Sequence, residues 1–379
     1  MNYRFDQIAF NSTAKKTPTE SDKEHYIGLE HIDSECLKIS RWGADVAPIG
    51  EKLIMRKGDV LFGKRRAYQR KLAIAPFDGI FSAHGMVLRP NEEIIDKDYF
   101  PFFMNSDLFM ERAVQISVGG LSPTINWKDL REQEFNLPPL SEQKILAEKL
   151  WAAYRLKESY KKLLAVTEEM VKSQFIEMFG NPLVSVQKNP LKKLGECCIL
   201  NPRRPNIELI DNDKVSFVPM SSVSEDGYLQ DVVDKEYCEV KKGFTYFENG
   251  DVLFAKITPC MENGKGAIAE RLTNNIGMGS TEFHVLRPID GISNPYWLFV
   301  LTKLPLFRER ASKNMSGTGG QKRVGAAYLE NFRVGLPSIE AQNQFETIYK
   351  QADKSGFELR KSIDAIDVVI KSLINNNLV

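Results

Sequence analysis

Residues Leu137 to Gly180 read LPPLSEQKILAEKLWAAYRLKESYKKLLAVTEEMVKSQFIEMFG. Pro138-Pro139 cannot continue a strand ladder and marks a boundary. Ser141 suits a helix N-cap, and Glu142 places an acid where the helix dipole favours one. Roughly forty residues without Gly or Pro follow, up to the stop signal Gly180-Asn181-Pro182. At about 1.5 Å per residue this helix is roughly 55–60 Å long. Leu146, Leu150, Ala153, Tyr160, Leu164, Val171 and Met178 fall on one narrow stripe, interrupted by Lys157, Thr167 and Gln174. A narrow stripe with Lys and Glu on the other faces predicts a coiled-coil seam, which needs a partner helix.

The far end of the chain supplies that partner. Leu336-Pro337-Ser338-Ile339-Glu340-Ala341-Gln342 echoes Leu137-Pro138-Pro139-Leu140-Ser141-Glu142-Gln143. The helix after it carries Phe345, Ile348, Ala352, Leu359, Ile366, Val369 and Leu373, with Ser355-Gly356 expected to interrupt it. The two stripes are expected to pair with each other, neither being satisfied by its own domain.

Working outward, the second half repeats the first. Tyr26-Ile27 and Ile32 answer Phe217-Val218 and Val223. Gly58-Asp59-Val60-Leu61-Phe62 answers Gly250-Asp251-Val252-Leu253-Phe254. Val87-Leu88-Arg89-Pro90 answers Val285-Leu286-Arg287-Pro288, and Glu111-Arg112-Ala113 answers Glu309-Arg310-Ala311. The order is kept and the offset grows in small steps, as in a duplicated domain with a period of about 190 residues. The GDVLF segments predict short buried strands. Residues 99–113 and 296–311 predict helices, with Asn294-Pro295 as a helix start. The expected layout is a domain over 1–136, a helix over 137–180, a second domain over 181–335 and a helix over 336–379. The fold class is α+β: two duplicated mixed α/β domains separated by two long helices that form an antiparallel coiled coil.

Composition sets limits. Apolar content of 42% and charged content of 27% are ordinary for a soluble globular chain. No apolar run is long enough to span a membrane, and the N-terminus has no signal-peptide pattern, which points to a cytoplasmic location. Five cysteines without a C-x-x-C pair and four histidines without H-E-x-x-H give no metal motif. There is no P-loop, no Gly-rich cofactor loop and no G-x-S-x-G elbow, so no catalytic residue is assigned. A net charge of +1 does not by itself favour nucleic acid.

The charges are, however, clustered. Lys64-Arg65-Arg66-Ala67-Tyr68-Gln69-Arg70-Lys71 places five cations in eight residues around a tyrosine. Phosphate neutralisation and guanine contacts need such a loop, although a solvated basic loop has the same composition. The equivalent stretch of the second unit is far less basic and offers Lys256, Thr258, Asn263 and Lys265. Gly-rich loops, Gly119-Gly120 and Gly317-Thr318-Gly319-Gly320, precede the two domain exits. The first adds Ser122, Thr124, Asn126, Trp127 and Lys128. The second adds Ser316, Thr318, Gln321, Lys322 and Arg323. Small polar residues on a pliable backbone suit phosphate approach and base-edge hydrogen bonds, and they also suit ordinary loops.

Taken together, the two LPPL-type helix starts, the GDVLF strands and the Gly-rich loops resemble the specificity subunit of type I restriction-modification systems, over essentially the whole chain. The resemblance implies two target-recognition domains, each reading half of a bipartite asymmetric site on double-stranded DNA, with the helices setting the unread spacer. It implies a non-catalytic subunit that recruits two methyltransferase subunits and restriction/translocase subunits. S-adenosylmethionine, ATP and magnesium then belong to those partners, and no cofactor to this chain. The second motif departs from the pattern by lacking the second proline and the Glu-Gln pair. Two other readings stay open on sequence: a stand-alone DNA methyltransferase or nuclease, and a coiled-coil adaptor that does not bind DNA.

Overall fold

The computed structural model describes residues 1–181, 183, 189–318 and 320–376. Pro182 of the expected stop signal, Gly319 of the second Gly-rich loop and Asn377, Leu378 and Val379 lie outside the described residues. The chain forms two compact units: Met1–Lys162 with Leu359–Val379, and Leu163–Glu358. The division falls inside the two long helices, so each helix belongs by halves to both units.

Each unit is built on two four-stranded sheets. In the first unit one sheet runs Ala9–Ser12, Met86–Pro90, Val60–Phe62, Leu72–Ile74, all antiparallel. The second unit has the same sheet from Cys198–Leu200, Phe283–Pro288, Val252–Ala255 and Gly266–Ile268. The other sheet shares three strands between units. Tyr26–Ile27 lies parallel to Gly79–Phe81, which pairs antiparallel with Lys52–Met55. Lys214–Val218, Ile276–Gly279 and Thr245–Glu248 repeat this arrangement. The fourth strand differs, being Lys15–Lys16 on one edge in the first unit and Val233–Glu236 on the opposite edge in the second. In these sheets Val60–Phe62 and Val252–Ala255 are central strands buried along their length, which is why VLF and VLFA read as unbroken apolar runs.

The repeated acidic and basic residues pair. Arg89 donates to Asp59 through Nε and Nη2 at 2.7 and 2.9 Å, and Arg287 donates likewise to Asp251 at 2.8 and 2.7 Å. Both aspartates are buried. A planar guanidinium satisfies both carboxylate oxygens at once, and the bond raises each arginine's affinity for its proton. Asp59 and Asp251 also accept from the backbone N–H of Arg56 and Glu248, closing the turn that each Gly58 or Gly250 enters at positive φ.

The helices of 99–113 and 296–311 form as expected, but each is split in two. Phe100–Met104 and Asp107–Gln115 part at Ser106, whose hydroxyl caps the second helix by accepting from Phe109 N–H at 3.1 Å. Pro295–Lys303 and Pro305–Lys313 part at Pro305, and Asn294 caps the first of them.

The long helices span Leu140–Phe179 and Ile339–Asn375. The first ends as expected on Gly180 with φ +70°. It begins one residue earlier than its predicted cap. The Pro139 carbonyl accepts from both Glu142 and Gln143 N–H, so Ser141 lies inside the first turn. Ser338 does cap the second helix, its hydroxyl accepting from Ala341. Gly356 does not interrupt the second helix. It is buried within an unbroken run, since one interior glycine costs only about 0.5–1 kcal/mol.

The stripes are only partly the predicted ones. In the first unit Leu146, Ala147, Leu150 and Tyr154 join Ile370 and Ile374 in one core with Phe102 and Phe103. In the second, Phe175 and Phe179 meet Phe345 at 5.2 and 5.6 Å between ring centres. The start of one helix thus pairs with the end of the other, which makes the pair antiparallel. Val369, expected on the seam, is exposed, and Ile370 takes its place. The expectation that the domains leave the stripes unsatisfied is also corrected. Both helix halves pack into the core of their own unit, because a buried amide pulls each helix start inward.

That amide is Gln143 in the first unit and Gln342 in the second, both with no exposed surface. Gln143 Oε1 accepts from Asp96 N–H at 2.8 Å, while Nε2 donates to the carbonyls of Ile94 and Pro138 at 3.0 and 2.8 Å. Gln342 repeats this with Asn294 N–H, Ile292 O and Pro337 O at 2.8, 3.0 and 3.0 Å. Replacing Gln143 by Leu leaves one N–H and two carbonyls without this partner. We expect a loss of about 1–3 kcal/mol in stability, measured by urea unfolding. A loss below about 0.5 kcal/mol would show that the amide does not hold the helix.

Candidate nucleic-acid interface

The strand Val60–Phe62 leaves the sheet at Gly63, whose N–H donates to Lys71 O at 2.8 Å. The loop between them, 64–70, is closed by a short turn over Ala67–Gln69. Arg66 and Arg70 flank that turn in the left-handed region, at φ +57° and +50°. Buried Ala67 anchors the turn, while Arg65, Arg66 and Tyr68 point outward. Holding two non-glycine residues at positive φ costs of order 1 kcal/mol each, so this loop has a fixed shape maintained by its surroundings.

Those surroundings include the Gly-rich segment, which is a hairpin. Val118 and Thr124 exchange both backbone hydrogen bonds, at 3.0 and 2.9 Å. The hairpin docks along the basic loop. Arg66 N–H donates to Pro123 O at 2.7 Å, Ile125 N–H to Lys64 O at 2.9 Å, and Arg66 Nε to Ser122 Oγ at 3.3 Å. Arg65 N–H reaches His84 O at 3.3 Å in the neighbouring turn. The fold therefore brings Lys64, Arg65, Arg66, Ser122 and Thr124 together, residues roughly 60 positions apart in the chain.

The other expected residues of this unit have different surroundings. Arg70 is turned inward, donating to Asp107 at 2.7 Å and to Asn105 O at 3.1 Å and ion-paired with Glu35 at 3.3 Å. The Arg70 bond is the main cause holding the Asp107 carboxyl below the usual carboxylate range. Lys71 Nζ donates to Leu29 O at 2.6 Å. Burial lowers the pKa of Lys64, and nearby Lys15 adds to the effect. Asn126 heads the short helix Trp127–Leu130 and donates to Asp129 at 3.3 Å, with Lys128 exposed beside it. Trp127 packs edge-on to Phe5 at 5.8 Å and belongs to the core.

The second unit uses the same wiring with other side chains. Thr258 N–H donates to Lys322 O, Val324 N–H to Lys256 O, and Lys256 N–H to Glu282 O, at 3.0, 3.0 and 2.9 Å. The hairpin here pairs Met315–Ser316 with Arg323–Val324. Arg323 forms a fork on Glu282 at 2.8–3.1 Å, which holds the Glu282 carboxyl below its usual range. Thr258 Oγ1 donates to Glu262 at 2.9 Å, Asn263 Nδ2 to Glu225 at 2.9 Å, and Lys265 Nζ to Met220 O at 3.4 Å. Thr318, Gln321 and Lys322 are exposed along the hairpin's loop.

The two faces thus differ chemically on one frame. The first presents two outward guanidinium groups and a phenol, suited to phosphates and guanine edges. The second presents hydroxyl and amide groups among carboxylates, suited to base-edge donors more than to phosphate. Sequence reading did not single out His84, Glu262, Glu282 or Leu121, which stands wholly exposed at the first hairpin's tip. The available signal was position: His84 and Glu282 each stand just before the repeated strand that ends in Arg-Pro. Among the described residues no cluster of His, Cys, Asp and Glu could hold a metal ion, and no helix is long and apolar enough to cross a membrane.

A family profile described as the type I restriction modification DNA specificity domain matches residues 10–168 and again 188–366. Two relatives from Escherichia coli are the specificity subunits of the type I restriction enzymes EcoAI and EcoEI. The first is 37% identical over 177 residues, covering 45% of this chain and 30% of the relative. The second is 33% identical over 234 residues, covering 57% and 39%. The chain therefore spans well under half the length of these curated relatives. The crystal structure of a type I restriction-modification system S subunit from M. genitalium superimposes with a TM-score of 0.58 at 14% identity, covering 100% of this chain and 96% of that one, a likeness of fold.

His284 ties the second hairpin to the sheet. Its Nε2 donates to Val324 O at 2.8 Å, and its Nδ1 accepts from Asn201 Nδ2 at 3.0 Å. Burial holds its pKa below the ordinary 6.5, opposed by the Val324 bond. The unfolded chain takes up this proton near 6.5 while the folded chain resists it. The contribution is therefore present above that value and lost as pH falls through it toward the folded pKa. The melting temperature of the wild type minus that of His284→Gln is expected to shrink between about pH 7.5 and about pH 5.5. A difference that does not change with pH would contradict a neutral, buried imidazole.

Proposed function

The chain belongs to the family of the type I restriction modification DNA specificity domain, and on that premise we propose that it is the DNA-sequence-specificity subunit of a type I restriction-modification complex. Each unit reads one half of a bipartite asymmetric site on double-stranded DNA. One observation carries this: the same loop-and-hairpin wiring occurs in both units, with different side chains on it. A frame repeated without its surface chemistry suits two readers of two different half-sequences.

The chain is non-catalytic in this reading. Methylation is carried out by two methyltransferase subunits that dock on it, and restriction and translocation by further subunits. S-adenosylmethionine, ATP and magnesium belong to those partners. The length of the shared helices sets the number of unread base pairs. The complex works in the cytoplasm, where its DNA is, and the free cysteines suit a reducing compartment.

Lys64, Arg65, Arg66, Tyr68, Arg70, Lys71, Ser122, Thr124, Asn126 and Lys128 are the candidates of the first reader. Lys256, Thr258, Asn263, Lys265, Thr318, Gln321, Lys322 and Arg323 are those of the second. The reading is tested by reconstituting the chain with a methyltransferase subunit of the same restriction-modification system and mapping the methylated sites. An asymmetric motif in two parts separated by a fixed gap is expected. A continuous motif, or methylation by this chain alone, would overturn the assignment. Within the complex, Arg65→Ala and Arg66→Ala should each lower the magnitude of the salt slope of DNA binding by about one, as loss of one phosphate contact does. An unchanged slope in the double variant would remove this loop from the DNA surface.

A further inference from the structure

Arg308 lies in the helix Pro305–Lys313 and is buried. Among the described residues its hydrogen bonds go to carbonyls alone: Nε to Thr302 O at 2.5 Å, Nη1 to Met261 O at 2.9 Å and Nη2 to Gly264 O at 3.5 Å. The guanidinium lies over the Phe254 ring at 4.4 Å. Burying a cation without a carboxylate is costly, so such an arrangement persists only where the carbonyls it holds repay it.

The scaffold itself does not require that cation. Glu309-Arg310-Ala311 repeats Glu111-Arg112-Ala113, so the counterpart of Arg308 is Met110, a buried apolar residue of the first core. The units differ in the loop that Arg308 holds. Met261 and Gly264 belong to the stretch that carries Thr258, Asn263 and Lys265. Lys303, at the end of the preceding helix, reaches the same Gly264 carbonyl at 3.4 Å and also donates to Glu225 O.

The first unit solves the same problem from the other side. There the guanidinium sits on the loop, as Arg70. It reaches Asn105 O and Asp107, at the junction of the two short helices where the second unit has Lys303 and Pro305. Asp107 in turn accepts from Asn375 Nδ2 at 3.4 Å. In both units a guanidinium ties the candidate DNA-reading loop to the same helix–helix junction, with the donor on opposite partners.

We propose that Arg308 and Arg70 are positioning residues. Each locks the reading loop of its own unit in one shape, and thereby sets how sharply that unit discriminates bases, without itself touching DNA. This rests on the assignment of the two loops as DNA readers, and it takes Arg70 out of the group that contacts phosphate.

The test uses the full chain in complex with its methyltransferase subunit. Arg308→Met, which installs the first unit's residue, and Arg308→Lys are compared with Arg70→Met. Preference at each base of the methylated motif and the salt slope of DNA binding are measured together. Arg308→Met is expected to reduce discrimination about tenfold at one half-site, leaving the other half-site and the salt slope unchanged. Arg308→Lys should recover part of the loss. Arg70→Met should relax the other half-site, again without changing the salt slope.

A fall of about one in the magnitude of the slope for Arg70→Met would make Arg70 a phosphate contact and overturn the proposal for it. Unchanged discrimination, or relaxation of both half-sites together by Arg308→Met, would overturn it for Arg308. If Arg308→Met fails to fold, Lys303→Met carries the test, with the same single half-site expected to relax. A wild-type complex with no bipartite motif would instead count against the DNA-reader assignment itself.

Discussion

Each half of the protein depends on one buried side-chain amide. Gln143 and Gln342 have no exposed surface, and each satisfies three backbone groups that would otherwise be orphaned at the join of helix and domain. An amide is suited to this because it both donates and accepts, which an acid or a base of similar size does not. Once it is seated, the first turn of the long helix cannot swing away from the domain. The apolar stripe must then pack inward, against Phe102 and Phe103 in one unit and Phe332 and Val334 in the other.

A second fixed element is the pairing of buried Asp59 with half-buried Arg89 and of buried Asp251 with half-buried Arg287. It joins the turn before one central strand to the end of the next. The strand that leaves this pair is the one that emits the reading loop. Rigid parts thus lie directly beneath variable ones, and the loops can change chemistry while their exits stay in place. The sheet edges vary in the same spirit, with Lys15–Lys16 added in one unit and Val233–Glu236 in the other.

Periodicity and repetition made much of this legible. The duplicated segments announced the two units, the GDVLF runs announced their buried strands, and Asn294-Pro295 announced a helix start. Pattern alone reports which face of a helix is buried and not against what. It therefore made the stripes a private seam between helices, whereas Tyr154 and Phe175 pack into their domains. Polar partners roughly 30–60 residues apart leave no periodic trace, so the Asp–Arg pairs and the inward turn of Arg70 could not be read. Gln143 was within reach, since beyond the opening Leu-Pro glutamine alone keeps its place in both copies of a degraded motif. Its burial was hidden because amides are mostly exposed.

The central claim is that the two units read DNA independently on one frame. It is tested most directly by replacing residues 194–332, between the strands Leu191–Lys193 and Arg333–Gly335, with the matching segment of another member of the family. Methylated sites of the reconstituted complex are then mapped. The account predicts that one half-site changes to that of the donor while the other half-site and the gap between them stay the same. A change in both half-sites, or in neither, would contradict it.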